Sequence, residues 1–363
     1  MGTLWGSLGD EGVVVTGELS ELAELAERGY GSLEEGALRL TLIEAAELAR
    51  QGALKVVDRG RSVETPELIE LIARSNPEDF LRFLVYSDLR KHGRVLRIEP
   101  ATPFLRLYPR GGRIGKSVAK SLVLPLSEDE PITHSELLDY VTYAGRLRKS
   151  LVMAVVDDEM NVTYYEATGF LPQPIGPPRI PEGLRVTGRL THDRVIVWDP
   201  EKADALYMGG FWGHHIGVEK PRPNTPYRLP LQMSLFEALY LVEAGVLDVE
   251  SPNGSLSADD LRRILSEVRR DAEARYLVFK RWRDLGYVAK PASKYGSDFM
   301  VYEKGPGIDH APYLCLVGRA ESKITPVELI RAGRIATSVR KSLVVSVVAG
   351  DSILSYKLEW YRP

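Results

Sequence analysis

Tyr302, His310 and Lys341 are three residues of this sequence whose types could carry out acid–base chemistry together. His310 follows a loop with glycines at positions 305 and 307, and loops held by a rigid scaffold are common places for functional side chains. Cleavage of RNA by transesterification needs a base for the 2′-hydroxyl, an acid for the leaving 5′-oxygen and a cation for the charged phosphorane. The three residue types suit those steps without a metal. Residue types alone leave open that all three side chains are structural.

Two other patterns resemble ligand sites but lack the required spacing. Residues 111–117 read GGRIGKS, and a phosphate-binding loop would need a glycine where Arg110 stands, so a turn is favoured. His214 and His215 are adjacent but have no further His or Cys ligands at metal-binding spacing, so a loop with two histidines is favoured. The sequence therefore predicts no metal and no cofactor.

The elements that must position the three residues are predicted from hydrophobic periodicity. They are a helix at 274–285, short apolar runs at 287–290, 299–302 and 313–317, a helix at 326–338, and strands at 342–348 and 353–359. Thr325 and Glu328 form a capping-box pattern at the start of the second helix. Because helices and strands do not alternate strictly, we predict an α+β fold with a mixed sheet rather than a doubly wound dinucleotide fold.

The chain contains one unit twice. Residues 132–156 and 324–348 share 12 of 25 residues without gaps, and residues 41–56 and 234–249 share 7 of 16 at nearly the same offset. Because the offset between matching residues stays nearly constant across separate blocks, we predict a tandem duplication. Each copy is expected to hold a small N-terminal α/β subdomain and a nuclease-like C-terminal α+β subdomain with a mixed sheet. The predicted parts are 1–75, 76–170, a Pro-rich and semi-rigid linker at 171–183, 184–272 and 273–363.

Composition excludes several classes of protein. Of the 363 residues, 44% are hydrophobic and 27% are charged, which argues against a disordered chain. The single cysteine excludes an internal disulfide framework and a Cys-rich zinc module. It suits a reducing compartment, so we expect a cytoplasmic protein. No apolar run reaches about 18 residues and no signal peptide is recognised, so no membrane association is expected.

The formal net charge of −3 hides an uneven distribution. Residues 1–100 carry 12 Lys/Arg and 18 Asp/Glu, whereas residues 271–363 carry 15 and 10. Chance scatter between solvated faces would explain this difference, but a segregated charge can also make one basic surface. We therefore expect an anionic ligand, if there is one, to bind the last ninety residues or so.

Five motifs of the second copy carry a family resemblance. They are Tyr276-Leu277-Val278-Phe279, Gly286-Tyr287-Val288, residues 294–302 (KYGSDFMVY), His310-Ala311-Pro312-Tyr313-Leu314 and residues 338–344 (SVRKSLV). In type, order and spacing they resemble the catalytic domain of archaeal tRNA-splicing endonucleases. The duplication is similar to the two-repeat form of that family, which has a degenerate first repeat and works as a homodimer.

This resemblance implies a function and roles. It implies cleavage of precursor tRNA at bulge–helix–bulge exon–intron junctions, without metal, leaving a 2′,3′-cyclic phosphate and a 5′-hydroxyl. Tyr302 would be the general base, His310 the general acid and Lys341 the cation, although a tyrosine with a pKa of about 10 needs nearby cations to act as a base at neutral pH. The alternative is a non-catalytic structural subunit or RNA-binding module of the same fold, and the complete trio argues against it.

The resemblance also implies residues that contact RNA. Members of the family clamp a bulged base between two cationic or planar side chains across the dimer. Arg334 matches one of them and would share a helix face with Arg331. The second should lie in the last strand, where Tyr356, Lys357 and Trp360 are the candidates and burial of Trp360 in the core is the alternative.

The first copy departs from the family pattern. Tyr108 aligns with Tyr302 and Lys149 with Lys341, but no histidine lies near Ser117–Val118, so this site should be inactive. Glu128, Asp129 and Glu130 resemble the acidic loop that docks into a basic pocket on the partner's catalytic unit. A solvated acidic turn is the alternative. The implied partners are thus precursor tRNA and a second copy of this chain.

Overall fold

The structure is a computed structural model that describes residues 3–99 and 101–363. These residues form four subdomains in chain order, an N-terminal and a C-terminal one in each of two repeats. The predicted α+β fold with tandem duplication is confirmed. Among the described residues, no helix is both long and apolar enough to cross a membrane.

The first N-terminal subdomain is a six-stranded sheet with three helices packed against it. Its elements are β1 (Leu4–Gly9), β2 (Gly12–Val15), α1 (Leu19–Glu27), β3 (Ser32–Glu34), β4 (Ala37–Leu40), α2 (Leu42–Arg50), β5 (Leu54–Asp58), β6 (Arg61–Val63) and α3 (Thr65–Ser75). The strand order is β3-β4-β2-β1-β5-β6, with β1 and β5 parallel. α2 begins at a capping box, in which the Thr41 hydroxyl accepts the Glu44 N–H and the Glu44 carboxylate accepts the Thr41 N–H.

The first C-terminal subdomain follows without a break. Its elements are α4 (Pro77–Lys91), β7 (Leu96–Ile98), β8 (Leu105–Leu107), β9 (Ser121–Ser127), β10 (Ile132–Thr133), α5 (His134–Arg146), β11 (Ser150–Val156) and β12 (Val162–Phe170). β9 and β11 are parallel neighbours that start together, since Ser121 pairs with Ser150.

The second N-terminal subdomain repeats the architecture of the first. Its elements are β13 (Val186–Thr191), β14 (Arg194–Val197), α6 (Pro200–Gly210), β15 (His214–His215), β16 (Leu231–Ser234), α7 (Leu235–Glu243), β17 (Leu247–Ser251), β18 (Gly254–Leu256) and α8 (Ala258–Val268). The strand order β15-β16-β14-β13-β17-β18 is that of the first sheet, position by position.

The second C-terminal subdomain agrees with the sequence prediction to within a few residues. Its elements are α9 (Ala272–Asp284), β19 (Val288–Pro291), a 3₁₀ turn (Ser293–Tyr295), β20 (Phe299–Tyr302), β21 (Tyr313–Arg319), β22 (Lys323–Ile324), α10 (Pro326–Ser338), β23 (Ser342–Ala349) and β24 (Ser352–Trp360). The Glu328 carboxylate accepts the Thr325 N–H at the start of α10, as the capping-box pattern predicts.

One ten-stranded sheet over the described residues joins the two C-terminal subdomains. Its order is β19-β20-β21-β23-β24-β12-β11-β9-β8-β7, so β24 and β12 meet at its centre. They pair antiparallel, with Leu358 opposite Ala167. The faces of α5 and α10 that contact the sheet share one core, in which Leu137 and Leu329 are fully buried. The two repeats therefore form one continuous scaffold.

The segment 171–183 contains no helix or strand and is held by contacts rather than by prolines alone. Tyr287 donates its hydroxyl hydrogen to the Gln173 carbonyl, and the Ile175 N–H donates to the Leu285 carbonyl. Gly286 has a φ of +88°, and a Cβ there would stand 2.7 Å from the Gly176 carbonyl oxygen. The linker thus lies against the second C-terminal subdomain.

Candidate active site and RNA-contact surfaces

A cavity of about 730 Å³ separates the second N-terminal and C-terminal subdomains. Tyr302, His310 and Lys341 all line it, although they lie up to 39 residues apart in the chain. Each stands at the end of an element or in a loop: at the end of β20, between β20 and β21, and just before β23. The fold therefore brings the three sequence candidates together around one space.

Tyr302 is half-buried at the cavity wall, with its hydroxyl 3.6 Å from the Met300 sulfur. Burial, with smaller effects of Tyr295 and Asp309, raises its pKa to about 12. At pH 7 very little of the phenolate form is then present. Burial and its two neighbours all raise this pKa, so the Tyr302 hydroxyl is protonated at neutral pH.

Lys341 is aimed at the His310 loop by the turn that precedes it. Arg340 takes a left-handed backbone conformation with a φ of 56°, and the Lys341 N–H donates to the Ala336 carbonyl. The Lys341 ammonium then donates to the Ala311 carbonyl at 2.6 Å. Burial lowers the pKa of Lys341, while Tyr295 and Asp309 act in the opposite direction. The ammonium is thereby fixed one residue away from His310.

Two groups hold the loop that carries His310, and sequence reasoning identified neither. The Asp309 carboxylate accepts the N–H groups of Glu303, Lys304 and Gly305 at 3.2, 3.0 and 2.8 Å. Arg179 of the linker donates to the carbonyls of Glu303, at 2.6 Å, and Lys304. The backbone at the start of the His310 loop is therefore hydrogen-bonded through both its N–H groups and its carbonyls. The only local sign of these contacts in the sequence was the position of Asp309 directly before His310.

The opposite wall of the cavity comes from the second N-terminal subdomain. Glu219, Lys220 and Pro221 lie there, together with His214. The predicted two-histidine loop is wrong in part, because His214 and His215 form β15 and pair with β16. His215 is fully buried, with its Nε2 3.4 Å from an Asp204 oxygen, whereas His214 is exposed. The segment around this pair therefore closes the cavity that the three candidate residues line.

A buried ion pair links this wall of the cavity to strand β19. The ammonium of Lys290, on β19, donates to the Glu237 carboxylate at 2.6 Å and to the carbonyls of Phe211 and Gly213 at 2.8 and 2.6 Å. Burial lowers the pKa of Lys290, against the effect of Glu237. Burial would raise the pKa of Glu237, but the Lys290 charge and hydrogen bonds hold it below its ordinary value. The pair is largely buried, with the side chains of Lys290 and Glu237 13% and 4% exposed.

Arg334 and Trp360 line a second cavity, of about 490 Å³, between α10, β12 and the C-terminus. Arg334 is exposed and lies 3.4 Å from the Thr163 hydroxyl, and Trp360 is 50% exposed rather than part of the core. Arg331 is exposed but lies outside the lining of this cavity. Tyr356 is fully buried and cannot reach a base without rearrangement. Lys357 lies over the ring of Phe170, 4.9 Å from its centroid.

The equivalent positions of the first repeat do not carry the same three side chains. Tyr108 is only 6% exposed. The pairing of Ser121 with Ser150 matches that of Tyr313 with Ser342, so Val118 occupies the position of His310, and it is 80% exposed. The motif at 111–117 forms turns, as predicted, and Lys116 donates to Glu27 at 2.7 Å.

The acidic loop lies at the end of β9. Asp129 and Glu130 are exposed, and carboxylate oxygens of Glu128, Asp129 and Asp158 lie within 4.8 Å of one another. A pocket of about 340 Å³ between the second N-terminal and C-terminal subdomains is lined by charges of both signs, with Asp193 and Asp298 beside two arginines. It is lined by Arg269, which is exposed, and by Arg275, which is paired with Asp298 at 2.8 Å.

Comparisons with known proteins place the same duplication in a family. The catalytic C-terminal domain of tRNA intron endonucleases matches residues 80–164 and 272–356, and the N-terminal domain of these enzymes matches 4–69 and 186–262. The chain is 34% identical to a tRNA-splicing endonuclease of Methanosarcina acetivorans, over 94% of this chain and 96% of that protein. It is 33% identical to the one of Methanosarcina mazei, over 92% of each. A tRNA-splicing endonuclease of Hyperthermus butylicus is 40% identical over 47% of this chain and 95% of its own length.

Proposed function

The chain belongs to the tRNA intron endonuclease family, and from this premise we propose that it is a tRNA-splicing endonuclease that cuts precursor tRNA at bulge–helix–bulge exon–intron junctions. The observation that carries the proposal is the cavity shared by Tyr302, His310 and Lys341. The degenerate first repeat leaves one complete site per chain. A dimer would supply the two sites that two junctions require.

The proposed reaction is an internal transesterification. The phenolate form of Tyr302 takes the proton of the 2′-hydroxyl, and the 2′-oxygen attacks the adjacent phosphorus. Protonated His310 gives its proton to the leaving 5′-oxygen, so the products are a 2′,3′-cyclic phosphate and a 5′-hydroxyl. Lys341 stabilises the negative charge on the phosphorane oxygens. The small phenolate population at pH 7 is compensated in part by the high basicity of a group whose pKa is about 12.

Arg334 and Trp360 are the proposed clamp for a bulged base. Their common cavity supports this pairing over one with Tyr356 or Lys357. A guanidinium and an indole can both stack on a base face. Arg331 would then contribute charge toward the RNA phosphates rather than stacking.

Cleavage of an intron-bearing precursor tRNA in excess EDTA tests the function. We expect cuts at both exon–intron junctions at an unchanged rate, because every proposed step uses a side chain of this protein. Gel mapping of the ends, with phosphatase treatment to detect the cyclic phosphate, checks this result. A strict metal requirement would contradict the mechanism. Stoichiometric binding without turnover would instead support a non-catalytic RNA-binding subunit.

Replacing Glu128, Asp129 and Glu130 with serine tests the proposed homodimer. We expect monomers with little cleavage activity, because the exposed acidic loop loses its attraction for the pocket lined by Arg269 and Arg275 on the partner. Light scattering and cleavage assays measure both effects. The matched control is Asp157→Ser with Glu159→Ser, on the neighbouring β11–β12 turn. An active, unchanged dimer of the triple variant would refute the role of the loop.

A further inference from the structure

The loop between β8 and β9 of the degenerate repeat has an unusual charge. Residues 108–120, which form this loop, contain four Lys/Arg and no Asp/Glu, although residues 1–100 carry a net charge of −6. The corresponding catalytic loop at 303–312 contains two acids, Glu303 and Asp309, and one lysine. The loop that lost its catalytic acid is therefore the more basic of the two.

Cations on neighbouring elements extend the basic surface of the β8–β9 loop. The Ser150 N–H donates to the Lys120 carbonyl at 3.3 Å, so Lys120 and Lys149 stand at adjacent strand ends. Arg148 is exposed beside them. Among residues 3–99 and 101–363, none of these three has an ion-pair partner within 4.0 Å. Glu27 pairs with Arg113 and Lys116 at 2.9 and 2.7 Å and offsets one charge of the loop.

The C-terminus connects this surface to the cavity of the proposed clamp. Arg110 donates to the Pro363 carbonyl at 2.7 Å. Arg362 lies over the Trp360 ring at 4.3 Å, and both line the cavity with Arg334. The acid next to this connection is Asp88, which accepts the Tyr164 hydroxyl hydrogen and faces His92. Cations thus continue from α10 to the loop at 110–120.

We propose that these cations form one RNA-binding surface, the basic track, made of Arg334, Arg362, Arg110, Arg113, Lys116, Lys120, Arg148 and Lys149. The basic track binds the phosphate backbone of a double-stranded arm of the precursor RNA beyond the cleavage junction. The degenerate site is then a phosphate-holding site: Lys149 retains the position of the phosphate-binding cation, while Tyr108 is buried and Val118 cannot donate a proton. Contacts of this kind depend on charge rather than on base sequence.

The placement of the two sites in the shared sheet supports this proposal. Lys341 precedes β23 and Lys149 precedes β11, and only β24 and β12 lie between those strands. Because β23 and β11 run antiparallel, the two lysines lie at opposite ends of these strands, three inter-strand steps of about 4.8 Å apart across the sheet and about four residues of 3.3 Å apart along it, or about 20 Å in all. One structured RNA that spans the clamp can therefore reach the degenerate site as well.

The test compares two triple variants in binding assays. The track variant is Arg113→Gln, Lys116→Gln and Lys120→Gln, and the control is Arg59→Gln, Arg61→Gln and Arg74→Gln on the first N-terminal subdomain. Both sets are exposed, and each contains two ion-paired cations. Binding is measured on a His310→Ala background, which lacks the proposed acid. The probes are a full precursor tRNA and a short bulge-containing RNA without the flanking arms.

We expect the track variant to lose affinity for the full precursor only. The track variant should bind the full precursor about tenfold or more weakly at 0.1 M salt, and the slope of log K against log salt should shrink by about 3. Its affinity for the short RNA, and both affinities of the control, should stay unchanged. A charge-conserving variant, with Arg113→Lys, Lys116→Arg and Lys120→Arg, should bind like the parent protein.

Two outcomes would overturn the proposal of the basic track. One is that the track variant binds the full precursor as tightly as the parent protein does. The other is that the control loses as much affinity as the track variant. The inference rests on the proposed function, which is tested separately by cleavage of the same precursor with unmutated protein. Cleavage together with unaltered binding by the track variant refutes the track alone, whereas the absence of cleavage refutes the function.

Discussion

Replacing His310 with alanine is expected to lower the rate of RNA cleavage by a factor of about 10² to 10⁴. The proposed leaving group is a 5′-alkoxide, which departs slowly from a phosphorane when no acid protonates it. RNA binding should change little, because Lys341 and the clamp residues remain. Single-turnover cleavage at saturating protein measures the chemical step, and fluorescence anisotropy with labelled precursor measures the affinity.

The control for this variant is His192→Asn. His192 is exposed in the turn between β13 and β14, with a φ of 60°, a conformation that asparagine tolerates. We expect this variant to cleave RNA at the original rate. If His310→Ala kept its cleavage rate within tenfold of the unmutated protein, the general-acid role would have to be assigned to another residue.

Replacing Lys290 with methionine is expected to lower the free energy of unfolding by about 3–5 kcal/mol. The change leaves the Glu237 carboxylate buried without its counter-charge and removes the hydrogen bonds to the carbonyls of Phe211 and Gly213. Lys290, on β19, also lines the cavity shared by Tyr302, His310 and Lys341. Urea unfolding followed by tryptophan fluorescence measures the loss.

Two variants separate the buried charge from other effects of the substitution. Adding Glu237→Gln to Lys290→Met should recover much of the lost stability, since it removes the unpaired charge and keeps an oxygen for the Gly213 N–H. Lys280→Met breaks an exposed pair with Glu243 and should cost no more than about 1 kcal/mol. If Lys290→Met were as stable as Lys280→Met, the pair would not hold the two subdomains together.

Much of the fold follows from local sequence signals. The boundaries of α9, β20, α10 and β23 were predictable because periodicity, glycines and the capping box at Thr325 act over a few residues. The two copies were recognisable because a duplicated register survives many substitutions. Motif order then marked Tyr302, His310 and Lys341 before any geometry was known.

Other features have no local signal, because they depend on contacts between distant segments. Arg179 and Lys304 are 125 residues apart, and nothing in the proline-rich segment indicates that its arginine holds the His310 loop. Lys290 and Glu237 are separated by 53 residues, and in sequence each resembles an ordinary surface charge. His214 lacks ligand spacing to other residues, so its place in the lining of the cavity was not predictable.

The sequence by itself determined the duplicated α+β architecture, the candidate catalytic trio and the loss of the histidine from the first copy. These depend on residue types, periodicity and repeat register, which the chain displays directly. The tertiary structure alone decided which surfaces meet: the cavity closed by residues 214–221, the loop held by Arg179, the pKa of Tyr302 and the cations gathered around the degenerate site. The physical reason is that burial, hydrogen-bond partners and electric fields arise from packing between segments far apart in the chain.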